Sequence, residues 1–158
     1  MIDVLAGAVK TAEADTTLMG YFAASTQKIY MGQSPQPQTA YPRAVVIHVR
    51  TTWKKAKSMD TSPALERYDT TIFQFIVHSD DLPTLNRIQL RLQALFDTGR
   101  PFALVSDTGA TVASTTAAMA SCVEEPGGDI KSLPQPNQQQ LPIHRLDIRF
   151  KCEVTRHQ

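Results

Sequence analysis

One segment near the end of the chain constrains the fold most, because its side chains alternate strictly between apolar and charged. Its apolar positions are Leu146, Ile148, Phe150, Cys152 and Val154, and its charged positions are Asp147, Arg149, Lys151 and Glu153. Successive side chains of a β-strand point to opposite faces of a sheet, so this pattern predicts a strand with one buried and one solvated face. Such a strand is typical of an antiparallel sheet that is covered on one side only.

Two further segments predict strands of the same sheet. Ala44–Thr52 is partly apolar on both faces, which indicates a central strand, and Glu66–Ser79 is dense in β-branched and aromatic residues. A shorter extended segment is expected to start at Lys28–Met31. The second half of Val112–Glu125 is also expected to be a strand.

Two helices are expected beside these strands. Ile2–Ala14 places its apolar residues on one side of a 3.6-residue repeat, and Thr16–Ala24 can add a short helical turn. Leu85–Phe96 carries an apolar stripe, with Asp81 as its N-terminal cap and Gly99 as its C-terminal cap. The element order predicts an α+β fold: one domain, residues 1–158, in which an antiparallel sheet of about four strands carries two helices on one face.

Three segments are predicted to project from this domain as loops: 32–42, 53–63 and 126–142. The first and the third are rich in Pro and Gln, and each Pro removes a backbone donor that a regular strand uses. Loops longer than about a dozen residues are usually binding elements or disordered segments. We expect residues 126–142 to form an arm that contacts a neighbouring subunit or another partner.

One short motif resembles a catalytic signature. Asp107-Thr108-Gly109-Ala110 resembles the active-site loop of aspartic proteases, in which two carboxylates share a proton and activate water. The apolar-apolar-Gly element that supports this loop in that family is missing here, and Asp-Thr-Gly is also a common turn sequence. The motif is therefore predicted to be a turn, with a protease that uses Asp107 as a remote alternative. The sequence contains no phosphate loop, dinucleotide fingerprint or nucleophile elbow, which makes an enzyme less expected.

The metal-ligating residue types do not form a site by spacing. The four histidines are His48, His78, His144 and His157, and none stands four residues from a second ligand on a helix. His48 and His78 lie on strands that could be neighbours, but ordinary strand histidines are favoured over a metal pair. Cys122 and Cys152 are favoured as buried free thiols over a disulfide.

The charge is balanced over the chain and concentrated locally. A net charge of +1 gives no overall field that would attract nucleic acid or an anionic membrane. A basic cluster surrounds Trp53, without any acidic residue within it: Arg43, Arg50, Lys54, Lys55 and Lys57. It can contact the phosphates and bases of nucleic acid, but a solvated hairpin end whose lysines discourage edge pairing is favoured. A third interpretation is a contact with an acidic patch on another copy, at Asp80–Asp81, Glu124–Glu125 or Asp60.

Targeting signals are not visible in the sequence. No apolar run approaches the roughly 20 residues of a membrane-spanning helix, and the first residues lack the basic start and apolar block of a signal peptide. Synthesis in the cytoplasm is therefore expected.

Several segments, taken in order, carry a family resemblance: Met1–Val9, Ile29–Gly32 before a Pro-containing loop, Tyr41–Val46 opening a strand, Tyr68–Val77 leading into the Leu85–Phe96 helix, and Leu146–Val154. Together they resemble the small tail-completion or tail-terminator proteins of long-tailed bacteriophages. The resemblance covers nearly the whole chain in its order of elements. The polar connection at 53–63 and the length of 126–142 depart from the family pattern.

The resemblance implies a structural protein of the virion, located at the tail or neck and assembled in the cytoplasm of the bacterial host. Such proteins form a ring, commonly a homohexamer, that caps the tail tube, ends its polymerisation and meets the head-tail connector. The resemblance implies neither an enzyme nor a cofactor. The implied partners are other copies of the chain, the tail tube protein and connector or neck proteins, with DNA in the ring lumen as a further contact. A head-closure or neck adaptor protein is the close alternative. The residues expected at subunit or partner interfaces are Pro35, Pro37, Arg43, Trp53, Lys54, Lys55, Lys57, Pro134, Pro136 and Gln138.

Overall fold

A five-stranded mixed sheet and three helices form the part of the protein that the structure, a computed structural model, describes: residues 2–24, 27–33, 40–55, 66–133 and 142–157. The helices are α1 (Ile2–Ala14), α2 (Thr16–Met19) and α3 (Leu82–Phe96), and the strands are β1 (Tyr30–Met31), β2 (Arg43–Lys55), β3 (Glu66–Ser79), β4 (Ala117–Leu133) and β5 (Ile143–His157). The strand order is β1-β2-β3-β5-β4. This is an α+β fold, as the sequence predicted.

The sheet has one more strand than expected, and it is not wholly antiparallel. β1 pairs with β2 in parallel, through Tyr30 opposite Val45 and Met31 opposite Val46, whereas the other neighbours are antiparallel. β1 falls within the extended segment expected to start at Lys28–Met31, but two residues show no alternation from which the sequence could reveal its partner or direction. Its pairing depends on the position of β2, which is a tertiary contact.

Two of the helices begin next to an aspartate cap, and the sequence predicted the one at Asp81. The Asp81 side chain accepts a hydrogen bond from the Thr84 backbone N–H at 3.1 Å, and Asp15 does the same for Leu18 of α2 at 2.7 Å. These bonds satisfy N–H groups that the first turn of a helix leaves without a partner. The prediction that Gly99 caps the C-terminus of α3 is wrong, because α3 ends at Phe96 and its C-terminal cap is Asp97.

The core lies between the helices and one face of the sheet. The alternating residues Phe73 and Phe75 of β3 and Phe150 of β5 point into it and meet Phe96 of α3. The centroid of the Phe96 ring lies 5.9 Å from the ring centroid of Phe73 and 5.3 Å from those of Phe75 and Phe150. The edge-on or tilted rings fill this layer at the spacing that aromatic pairs prefer. The apolar stripe of α3 is buried on the same side, as predicted.

Two of the predicted loops begin later than expected, because both hairpins extend further. β4 continues through residues 126–133, so the prediction of an arm over 126–142 is wrong for that part, and residues 134–141 lie outside the described residues. An irregularity between Glu125 and Asp129 accommodates Pro126 and Gly127, which has φ +114°. Pro is tolerated there because β4 is an edge strand. Similarly, 53–55 belong to β2, and 34–39 and 56–65 are not described.

Candidate interaction surfaces

The sheet has one face that the helices cover and a second face that no described helix covers. We call the second face the open face. Its charged residues with described side chains are Arg43, Arg50 and Lys54 on β2, Arg145, Asp147, Arg149, Lys151 and Glu153 on β5, and Glu125, Asp129 and Lys131 on β4. They follow from the same alternation that places Phe73 and Phe150 in the core, because the residues between core positions must point the other way.

A hydrogen-bonded network orders the centre of the open face. The Gln74 side chain donates to the Asp147 carboxylate at 2.8 Å and accepts from Arg149 Nε at 2.8 Å. Arg145 Nε donates to the same carboxylate at 3.0 Å. Gln74 is buried, and Ile72 beside it is only 2% exposed. These bonds fix the side chains in place and leave a mixed polar surface.

The two edges of the sheet differ in charge. β2 carries Arg43, Arg50, Lys54 and Lys55 and no acidic residue, whereas β4 carries Glu124, Glu125 and Asp129 against one Lys131. Beyond its pairing with β1 at Val45 and Val46, no described strand pairs with the outer side of β2. β4 is partly protected, since Gly99 N–H donates to the Cys122 carbonyl at 3.0 Å and Glu124 N–H donates to Asp97 at 2.9 Å.

The two long hairpins extend to opposite ends of the sheet. Glu66 of β3 lies opposite His157 of β5, so the β2–β3 connection leaves from the end at which the chain finishes. Ser79 lies opposite His144, so the β4–β5 connection leaves from the other end. Two segments that the sequence predicted as projecting loops therefore emerge at opposite ends of one rigid sheet.

An ion-pair cluster, the Arg156 cluster, ties α1 to the end of the sheet. Arg156 Nε lies 2.5 Å from Asp69 Oδ2, and its two terminal nitrogens lie 2.6 and 3.0 Å from the Asp3 carboxylate. Arg67 Nε contacts the other oxygen of Asp69 at 2.6 Å. Burial by itself raises the pKa values of Asp3 and Asp69, but hydrogen bonds and charge from these arginines outweigh it and hold both pKa values below the usual range. Both carboxyls are therefore ionised at neutral pH.

Sequence reasoning missed the Arg156 cluster. The available signal was Asp69, a carboxylate at a core-facing position of a strand whose next core positions are Thr71 and Phe73. A buried carboxylate requires a cationic partner, and the partner came from a strand almost ninety residues later. No local pattern identifies that pairing.

An apolar groove of about 520 Å³ lies between α1, β1 and residues 105–109. Ile2 and Met31 line it and are 50% and 47% exposed. Asp107 lines it too, on the turn that the sequence predicted: Ser106 N–H donates to the Ala110 carbonyl at 2.8 Å, and Gly109 has φ +85°. One other carboxylate is present among the described lining residues, Glu13, and it accepts a hydrogen bond from Ile29 N–H at 3.0 Å.

The structure describes the side chains of three of the expected interface residues. Trp53 is 55% exposed, with the Arg67 guanidinium over its ring at 5.4 Å, and Lys54 is exposed. Arg43 is instead buried, with its guanidinium 5.6 Å from the Tyr30 ring. Lys55 ends β2. The others lie outside the described residues: Pro35, Pro37, Lys57, Pro134, Pro136 and Gln138.

The histidines and cysteines behave as ordinary strand residues. His48 lies opposite Phe73 on the helix-covered face, and His78 lies on the open face, so the two do not form a pair. Burial and then the Arg145 charge lower the pKa of His78, against an opposing effect of Asp147. Cys122 and Cys152 are buried free thiols that face each other across β4 and β5. No group of metal-ligating residues forms within the described part of the chain.

No protein-family model matches the chain, and no curated protein matches it in sequence. A solved structure does match in three dimensions, a chain of the structure described as "Virion of native gene transfer agent (GTA) particle". The TM-score is 0.58 at 12% sequence identity, and the match covers 97% of this chain and 95% of that chain. The two chains therefore share a fold over nearly their whole lengths. None of the helices described here is both long and apolar enough to span a membrane.

Proposed function

We propose that this chain is a structural protein of a phage-like virion and that its copies form a ring at the end of the tail tube. The observation that supports this most is the shared fold with a chain of a gene transfer agent virion over 97% of the present chain. The resemblance of its element order to tail-terminator proteins points the same way. In this role the chain acts through its surfaces and carries out no reaction.

The placement of the hairpins supports a protein that joins two different structures. The β2–β3 and β4–β5 hairpins leave from opposite ends of the sheet. In a ring whose sheets stand along the tail axis, one set of hairpins contacts the last layer of tube protein and the other set contacts the connector. Binding at one end covers the surface on which the next tube layer would add, and so ends polymerisation.

Tails assembled without this chain provide the direct test. We expect tubes of uncontrolled, excessive length when the chain is omitted, and tubes of normal length when purified protein is added back, measured by electron microscopy. Tubes of normal length that fail to join heads would instead support the alternative role, a head-closure or neck adaptor protein.

Ring formation is tested separately on the purified protein. Size-exclusion chromatography with light scattering should give a ring-sized oligomer, or a monomer that forms rings when isolated tail tubes are added. A chain that stays monomeric in both conditions and binds neither tube nor connector protein contradicts the proposal.

The segment between β4 and β5 is the proposed arm. Residues 134–142 are replaced by a two-residue Asn-Gly turn, which joins the paired residues Leu133 and Ile143 and leaves β4 and β5 intact. We expect a variant that folds with the thermal stability of the wild type but assembles less well on tubes. Normal ring formation and normal head joining by this variant would show that the segment is a tolerated insertion.

A further inference from the structure

The two edges of the sheet carry opposite charge. In the ring proposed above, on which this step rests, opposite edges of neighbouring copies can meet. The exposed basic side chains of the β2 edge are Arg50 and Lys54, which the ladder places opposite Ile72 and Tyr68, so no acidic side chain lies directly across from them. On the β4 edge, Glu125 and Asp129 are the acidic residues of the open face.

The four side chains satisfy a geometric condition for meeting across a subunit boundary. Arg50 and Lys54 share the open face with Gln74 and its neighbours, and Glu125 and Asp129 lie opposite Arg149 and Asp147 on that same face. Copies placed side by side in a ring keep the same face directed inward or outward. The basic edge of one copy and the acidic edge of the next therefore present their charges on the same side.

Neighbouring charges reduce the acidity of β4 but do not remove it. Lys131 Nζ lies 3.6 Å from Asp129, with both side chains more than half exposed, and Arg149 lies opposite Glu125 but donates to Gln74. With Glu124 included, β4 keeps a net charge of −2. An exposed pair such as Asp129–Lys131 is weak in water, so the carboxylates remain available to a second cation.

Charge also selects the symmetry of the contact. A two-fold contact brings identical patches together, which here means acid against acid or base against base. A head-to-tail contact brings opposite charges together, and head-to-tail contacts that close produce rings. We propose that copies of this chain associate head to tail, with the Arg50–Lys54 edge of one copy against the Glu125–Asp129 edge of the next. Backbone pairing is not required, since Gly99 and Asp97 already occupy the middle of the β4 edge.

Two charge-reversed variants test this proposal. R50E/K54E makes the exposed open-face residues of the β2 edge acidic, like Glu125 and Asp129 of the β4 edge, and E125K/D129K makes both edges basic. Each should associate at least ~10-fold more weakly than the wild type, because like charges then face each other at every boundary. A 1:1 mixture should recover most of the lost assembly, since the acidic β4 edge of the first variant meets the unchanged basic β2 edge of the second, and the reversed edges also meet. The matched control for R50E/K54E is R87E/R100E, which makes the same change in net charge at exposed positions away from both edges.

Assembly is measured by light scattering, alone and on isolated tail tubes, at low and high salt. Thermal unfolding of each variant should equal that of the wild type, because the exchanged side chains are mostly exposed. A wild type that fails to associate under either condition overturns the ring itself. If the wild type forms rings and the variants form equally good ones, or if the mixture recovers nothing, the ring stands and the proposed edge contact is wrong. Variants that form rings but no longer bind tubes would assign these charges to the tube protein and also overturn the contact.

Discussion

Replacing Arg156 by Met should destabilise the fold more than any other single change to an exposed or partly exposed cation. Arg156 holds two carboxylates, Asp3 of α1 and Asp69 of β3, and the Asp69 side chain is only 1% exposed. Met keeps much of the aliphatic stem, so the change removes charge and hydrogen bonds more than packing.

The expected magnitude follows from what is left behind. Hydrogen bonds to charged groups contribute about 1.5–3 kcal/mol each, and a fully broken buried ion pair costs roughly 3–5 kcal/mol. Asp69 keeps Arg67 after the change, at 2.6 Å, so the lower end applies. We expect a loss of ~3 kcal/mol in the free energy of unfolding, or a drop of roughly 6–12 °C in Tm for a chain of this size.

Urea unfolding of the monomer at one fixed protein concentration measures the change, since association would otherwise add to the stability. R67M is the matched control. Its ion pair with Asp69 is more exposed, so it should cost about 1 kcal/mol or less. In R156M/D69N the buried charge is removed as well, and we expect part of the stability to return. An R156M variant within ~0.5 kcal/mol of the wild type, or a double variant with no recovery, would refute this account of the cluster.

Three further outcomes follow from particular contacts. In G7V, a Cβ at Gly7 of α1 would lie 2.3 Å from the Ala103 carbonyl oxygen, so α1 must shift. We expect the free energy of unfolding, measured in urea, to fall by roughly 1–3 kcal/mol. An unchanged free energy would show that the helix moves freely. The contact with the Cys122 thiol, together with burial, raises the pKa of Cys152, so neither thiol should react with a thiol reagent until the protein unfolds; rapid labelling of folded protein contradicts this. The pKa of Asp69 is lower in the folded state than in the unfolded state, where it is about 4. The stabilisation by the Asp69 carboxylate is therefore complete above about pH 4 and is lost as the pH falls further. Urea midpoints from pH 6 to pH 2 should fall less steeply in D69N than in the wild type, and parallel curves would contradict the lowered pKa.

The sequence predicted the elements whose patterns are local and long. Three elements repeat apolar residues on one side: the alternating strand at 146–154, the strand at 66–79 that is dense in β-branched and aromatic residues, and the striped helix α3. The type and the buried face of each element could therefore be identified without the fold. The Asp107 turn and the cap at Asp81 were equally predictable, because both depend on hydrogen bonds within a few residues.

The interaction surfaces were predictable only in part. The basic cluster and the acidic residues Glu124–Glu125 were visible as sequence composition, and so was the idea that they meet between copies. The positions of the two groups on opposite edges, and of Arg50, Lys54 and Glu125 on one face of the sheet, were not visible, because strand order and register arise from contacts distant in sequence. Burial of Arg43 against Tyr30 likewise depends on the parallel pairing of β1.

By itself, the sequence determined an α+β domain with a sheet covered on one side, because hydrophobic periodicity acts residue by residue. Only the tertiary structure decided that β4 continues through Pro126 to Leu133, since β5 supplies hydrogen-bond partners that outweigh a local composition typical of loops. Only the tertiary structure brought Asp3, Asp69 and Arg156 together, and the attraction between their charges becomes strong when the fold removes them from water. The same folding placed unlike charges at the two sheet edges, where neighbouring copies would meet.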